Sequence, residues 1–180
     1  MLIILNLTLT LLSILTSCSA SSESEIKIPR IPSHILKKIE SQHPLMATSG
    51  GHATQEKQKI PMIGFKTTHT IQSTEELLSL YKEVYFLMAT AMTPEEETSS
   101  WENRLFIKKQ PKVWLSFSNS SKTEMFATPP SIALICMGPG GTLSLSTWNA
   151  KTRHLDDQDK TSLRELFKEE LASDDTKQES

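Results

Sequence analysis

The sequence predicts an α+β domain: an antiparallel sheet of about four to six strands arranged as hairpins, with two helices, about 73–91 and 162–172, packed on it. Three patterns carry the prediction. Apolar residues recur at three- and four-residue spacing from Leu77 to Ala91, the signature of a helix with one buried stripe. Val113, Leu115 and Phe117 alternate with Trp114 and Ser116, and Leu143 and Leu145 alternate with Ser144 and Ser146, the period of a half-buried strand. Clusters of Gly, Pro, Asn and Ser separate these stretches, and packing helices on one sheet lets each element bury its apolar side.

Residues Met1 to Ser17 carry no charged side chain and are dominated by Leu and Ile. A bilayer-spanning helix needs roughly 20 apolar residues; this shorter stretch fits a secretory signal, an apolar core followed by small residues. It ends in Leu15-Thr16-Ser17-Cys18, which resembles the lipobox of bacterial lipoproteins. The resemblance implies removal of residues 1–17, a diacylglyceryl group of palmitate type on the Cys18 sulfur, and often a third acyl chain on the new amine. A thiolate is the side chain suited to forming that thioether, and two or three chains, at about 0.8 kcal/mol per buried methylene, hold a protein to a bilayer where one does not. The chain departs from the pattern in lacking a Lys or Arg near its start, so only the amine of Met1 is positive there. Two other readings stand beside the resemblance: a cleaved signal with Cys18 incidental, and an uncleaved N-terminal anchor.

Ser19 to Glu25 is small and polar, the composition of a flexible tether. In some bacteria an Asp after the lipidated cysteine retains the protein at the inner membrane; Ser19 stands there instead, which points to the outer membrane. The expected organisation is therefore a signal over 1–17, a lipid-anchored tether and loosely organised arm over 18–60, a globular domain over 61–172, and a frayed tail over 173–180. Pro29, Pro32 and Pro44 punctuate the arm, Ser33 is placed to cap a short helix carrying Ile35, Leu36 and Ile39, and Ser49-Gly50-Gly51 reads as a break.

Phe65 to Thr70 reads as a strand. Ser73-Thr74-Glu75-Glu76 then makes a capping box that starts the long helix, and Thr93-Pro94 ends it. Pro94 to Ser100, with Glu95, Glu96 and Glu97 in a row, reads as an acidic solvated loop; it lacks the alternating oxygen ligands and central glycine of a calcium loop. Leu105-Phe106-Ile107 is a short apolar run. Residues 113–117 and 124–128 are expected to pair across a turn at Asn119-Ser120-Ser121-Lys122, and 132–137 with 143–147 across Gly138-Pro139-Gly140-Gly141. Ser162 and Glu165 offer a second capping box, with Leu163, Leu166, Phe167 and Leu171 as the buried stripe.

No constellation nominates a catalytic residue. The four-residue Gly138–Gly141 segment lacks the Lys-Ser/Thr and following helix of a phosphate loop. His34, His43, His52, His69 and His154 form no pair at helical spacing, and no serine sits in a nucleophile elbow. His154, Asp156, Asp157 and Asp159 read as a polar connection into the last helix rather than a metal or acid–base site. Lys108, Lys109 and Lys112 form a basic cluster beside Trp114, suited either to anionic headgroups or to guarding a strand end. With Cys18 acylated, Cys136 has no disulfide partner among the chain's two cysteines and reads as a small buried hydrophobe.

A formal charge of −2 offers no basic face for nucleic acid, so none is expected as a partner. No metal and no cofactor are expected. The functional expectation is a lipid-anchored cell-envelope protein, attached through Cys18, whose domain is a binding or structural module for an envelope or host protein. The alternative is a membrane-tethered enzyme acting on envelope material with a site assembled only in three dimensions. A deep pocket with converging polar groups distinguishes the second from the first, and Trp101, Trp114 and Trp148 are the residues to inspect for an exposed aromatic patch.

Overall fold

The computed structural model describes residues 30–55, 57–67, 71, 73–118, 134–149, 151–152 and 154–178. The expected signal over 1–17, Cys18 and the expected tether lie outside these residues, as do the turn expected at 119–122, the strand expected at 124–128, and His69.

The first described helix is α1 (Ser33–Gln42). Pro32 occupies the cap position and makes no side-chain cap bond, so Ser33, expected as the cap, is instead the first helical residue. A hairpin follows, β1 (Leu45–Gln55) and β2 (Gln58–Thr67), paired antiparallel along its length with a bulge between Ala47 and Ser49. Residues 33–60, read as a loosely organised arm, thus supply a helix and the first sheet strand; Ile39 and Leu45 are buried in the core. Gly50 and Gly51 lie inside β1 rather than at a break.

The long helix, α2 (Thr74–Ala91), starts as the sequence indicates: the Ser73 hydroxyl accepts from the Glu76 N–H at 3.4 Å. Leu77, Tyr81, Val84 and Met88 form its buried stripe, widened by Tyr85 and Ala89. The acidic segment Glu95–Glu97 is a 3-10 turn, and Ser100 then caps the short α3 (Trp101–Leu105). Next come the two-residue strands β3 (Phe106–Ile107) and β4 (Gln110–Pro111), which form a separate small sheet.

The main sheet is completed by β5 (Trp114–Ser118), β6 (Leu134–Met137), β7 (Thr142–Asn149) and β8 (His154–Ser162), in the order β1-β2-β5-β6-β7-β8. The fold is α+β as expected, with one addition to the hairpin picture. β2 and β5 are parallel, Phe65 against Phe117, because α2 and α3 intervene and carry the chain back across one face. Every other pairing among the described residues is antiparallel, including β6 with β7 across Gly138–Gly141. Gly140 and Gly141 both hold positive φ, which explains the glycines in that turn. Residues 154–162, read as a connection, are the outer strand β8; Asp156, Asp157, Asp159 and Lys160 are exposed along it, the charged edge that discourages sheet-to-sheet association.

Phe65, Phe117, Ile135 and Leu145 are successive neighbours across four strands and line up beneath α2. Phe117 meets Phe65 edge-on at 6.0 Å and Tyr81 at 5.3 Å between ring centres. The Tyr81 hydroxyl donates to the Leu115 carbonyl at 2.8 Å, and that of Tyr85 to the Leu105 carbonyl at 2.6 Å, so both buried phenols are satisfied. The last helical segment is two pieces, α4 (Leu163–Leu166) and α5 (Lys168–Gln178), with the turn at Phe167. Ser162 caps α4 through the Glu165 N–H at 3.0 Å, whereas the tail expected to fray from Ser173 continues as α5 to Gln178.

Candidate functional site

Residues Ser79, Lys82, Glu83 and Phe86 recur at three- and four-residue spacing on α2, forming a second stripe that faces away from the sheet. Beside it lie Trp101 of α3 and Phe167 and Glu170 from the last helical segment, and together they bound an open groove of about 260 Å³. Its floor is aromatic. Phe86 and Trp101 stack at 5.2 Å with planes inclined by 38°, and Phe167, itself buried, rests against Tyr85 at 5.9 Å.

Polar groups fix these walls. Lys82 Nζ donates to Glu170 Oε1 at 2.6 Å while lying 5.3 Å from the Phe167 ring centre, tying α2 to α5. The Asp174 carboxylate accepts from the Ser100 hydroxyl at 3.0 Å and from the Glu102 N–H at 3.1 Å, tying α5 to the start of α3. Arg164 grips Glu102 with two N–H groups, at 2.6 and 3.0 Å, and covers the Phe106 ring at 4.3 Å. Two-pronged contacts of this kind define orientation as well as attraction. Arg104 lies over Trp101 at 5.2 Å and its Nε donates to the Thr98 carbonyl. Glu170 Oε2 is shielded from solvent and has no hydrogen-bond donor among the described residues.

The sequence-derived candidates fall elsewhere. His154, Asp156 and Asp157 sit along the exposed strand β8; Asp156 accepts from the Asn149 amide at 2.7 Å and Asp157 from the Ser146 hydroxyl at 3.0 Å. Among the described residues no three His, Cys, Asp or Glu side chains group to hold a metal ion. The basic cluster is split. Lys108 and Lys109 are exposed at the tip of the β3–β4 hairpin, but Lys112 turns inward, 4% exposed, and donates to the Thr93 hydroxyl at 2.5 Å. Burial pushes the Lys112 ammonium below its ordinary pKa, partly opposed by Glu97. Cys136 is half-buried on the sheet face away from α2 rather than enclosed in the core, and its thiol is pushed up by burial and by the Asp157 carboxylate, the opposite of an activated nucleophile.

Of the three tryptophans, Trp101 joins the groove. Trp114 begins β5, half-buried, with its indole N–H lacking an acceptor among the described residues, and the Trp148 side chain lies outside the described ones. Sequence reasoning missed Lys82, Phe86, Phe167 and Glu170 as a group. The spacing of Ser79, Lys82, Glu83 and Phe86 was the available signal: a stripe too polar for the core that nonetheless carries a Phe.

No helix among the described residues is long and apolar enough to cross a membrane. No protein-family model, no curated protein and no solved structure matches this chain.

Proposed function

We propose that this is a lipid-anchored cell-envelope protein, tethered through Cys18, whose domain is a binding module working through the α2–α3–α5 groove. One observation carries the binding part: three aromatic rings line an open groove whose charged walls are tied by the Lys82–Glu170 ion pair. Such a groove contributes apolar contact area with a polar rim, the anatomy of a recognition surface. The tether rests on Leu15-Thr16-Ser17-Cys18 and on the small polar stretch after it. A domain held near a bilayer by a flexible segment meets membrane-bound partners at raised effective concentration, so a modest groove suffices.

The test is photo-crosslinking in cells, with benzoylphenylalanine placed at exposed Ser79 on the groove rim and, as control, at exposed Lys151. Discrete adducts in the membrane fraction from position 79 alone, weakened by Trp101→Ala, are the expected result. Identical adducts at both positions, or none at position 79, would contradict a binding role for this groove.

A further inference from the structure

We infer that the groove takes a cationic side chain of a basic peptide segment, arginine above all; this rests on the binding reading above and names its ligand. Charge points that way first. The titratable residues lining the groove are Lys82, Glu83 and Glu170, and Lys82 is already held by Glu170 Oε1 and by the Phe167 ring. What remains on offer is negative: the Glu83 carboxylate, 62% exposed although its Oε1 lies 3.8 Å from His43 Nε2, and the Oε2 of Glu170, which has no donor among the described residues. A shielded carboxylate oxygen without a donor is a costly arrangement that an incoming N–H relieves. The terminal carboxylate torsion is broad, so a small rotation turns Oε2 toward the groove.

Size and wall chemistry agree with the charge. A volume of about 260 Å³ holds one long side chain, below the range of roughly 300–1,000 Å³ typical of sites for drug-sized ligands. Phe86 and Trp101 present aromatic surface to an aliphatic stem and a cation. A guanidinium is planar, donates in a fork that matches carboxylates and stacks on rings, which favours arginine over lysine. The same walls already show the chemistry, with Arg104 over Trp101 and Lys82 over Phe167.

The test uses the full chain in detergent micelles labelled with fluorotryptophan, the Trp101 signal being assigned by Trp101→Phe. The probes are N-acetylated, amidated Gly-Arg-Gly and its citrulline counterpart, which has nearly the same shape and no charge. Saturable displacement of the Trp101 fluorine signal by the arginine peptide is expected, at least about fivefold tighter than by the citrulline peptide. Glu83→Gln and Glu170→Gln should each remove most of that difference while leaving citrulline binding unchanged; Glu83 keeps the test decisive if Glu170→Gln disturbs the Lys82 pair. Equal binding of the two peptides overturns the cationic assignment and leaves the binding reading intact. Absence of any Trp101 displacement by the arginine peptide also overturns the assignment, while the binding reading is decided separately by the crosslinks at position 79.

Discussion

Replacing Tyr85 by Phe removes one oxygen from a buried polar junction, and the structure fixes how much that should cost. The hydroxyl donates to the Leu105 carbonyl at 2.6 Å and accepts from the Lys112 N–H at 3.1 Å. It therefore joins the end of α3 to the segment leading into β5. Two lost hydrogen bonds at about 1 kcal/mol each amount to about 2 kcal/mol. Stranding both partners would add to this, but the Lys112 N–H also reaches the Leu105 carbonyl at 3.3 Å, so each retains the other. The ring stays, and with it the contact to Phe167 at 5.9 Å. Tyr81 provides the internal comparison: its hydroxyl makes one bond, to the Leu115 carbonyl, so Tyr81→Phe should cost about 1 kcal/mol. Urea denaturation followed by tryptophan fluorescence measures both variants, with an unchanged slope confirming that only the folded state was altered. For a chain of this size the Tyr85→Phe loss corresponds to roughly 4–8 °C in melting temperature. A Tyr85→Phe loss no larger than that of Tyr81→Phe would refute the reasoning, because the junction would then hold nothing that one ordinary bond does not.

Four further outcomes follow from the same structure. Burial holds both tyrosines, the only two in the chain, above their ordinary pKa near 10.0; folding thus favours the protonated phenols, so their stabilisation is complete below pH 10 and falls as pH rises beyond it. Tyrosinate absorbance should accordingly appear in one cooperative step together with unfolding, and smooth titration of a still-folded protein near pH 10 would contradict this. Gly141→Ala should destabilise by about 2 kcal/mol, since φ is +80° and the new methyl meets Leu163 and Pro111 at 3.3 Å; Gly140→Ala, at φ +67° but facing open space, should cost about 1 kcal/mol, and equal melting temperatures would refute the distinction. Lys108 and Lys109 both hold positive φ at a two-residue turn, so Lys108→Asn with Lys109→Gly should raise the denaturation midpoint, by about 1 kcal/mol together; a lowered midpoint would show that the lysines are held by something beyond the turn. Asp157→Asn should speed Cys136 modification by a thiol reagent at pH 8 by removing a charge that opposes the thiolate, and an unchanged rate would leave burial as the sole brake.

The elements that could be read from sequence were those that bury one face. α2 shows its stripe from Leu77 to Met88, β5 its alternation, and the β6–β7 hairpin its glycine turn. β1 was illegible because it is an edge strand: among its described side chains only Leu45 is buried, so Gly50 and Gly51 read as a break although β2 holds them extended. β8 was illegible for the same reason, its Asp-rich sequence being set as a strand by pairing with β7. The parallel β2–β5 contact depends on a crossover that no local pattern encodes. The groove was hidden for a third reason. Lys82 meets Glu170, and Phe86 meets Trp101, across long stretches of chain, so their partnership exists only after α3 and α5 dock on α2.

Whether a lipid on Cys18 holds this domain to a membrane, as proposed, is decided by the intact mass of the membrane-extracted protein beside a Cys18→Ala variant. The expected result is a chain beginning at Cys18 and carrying at least a diacylglyceryl increment, which the variant lacks. An unmodified chain cleaved normally, or a chain that keeps residues 1–17, would contradict it.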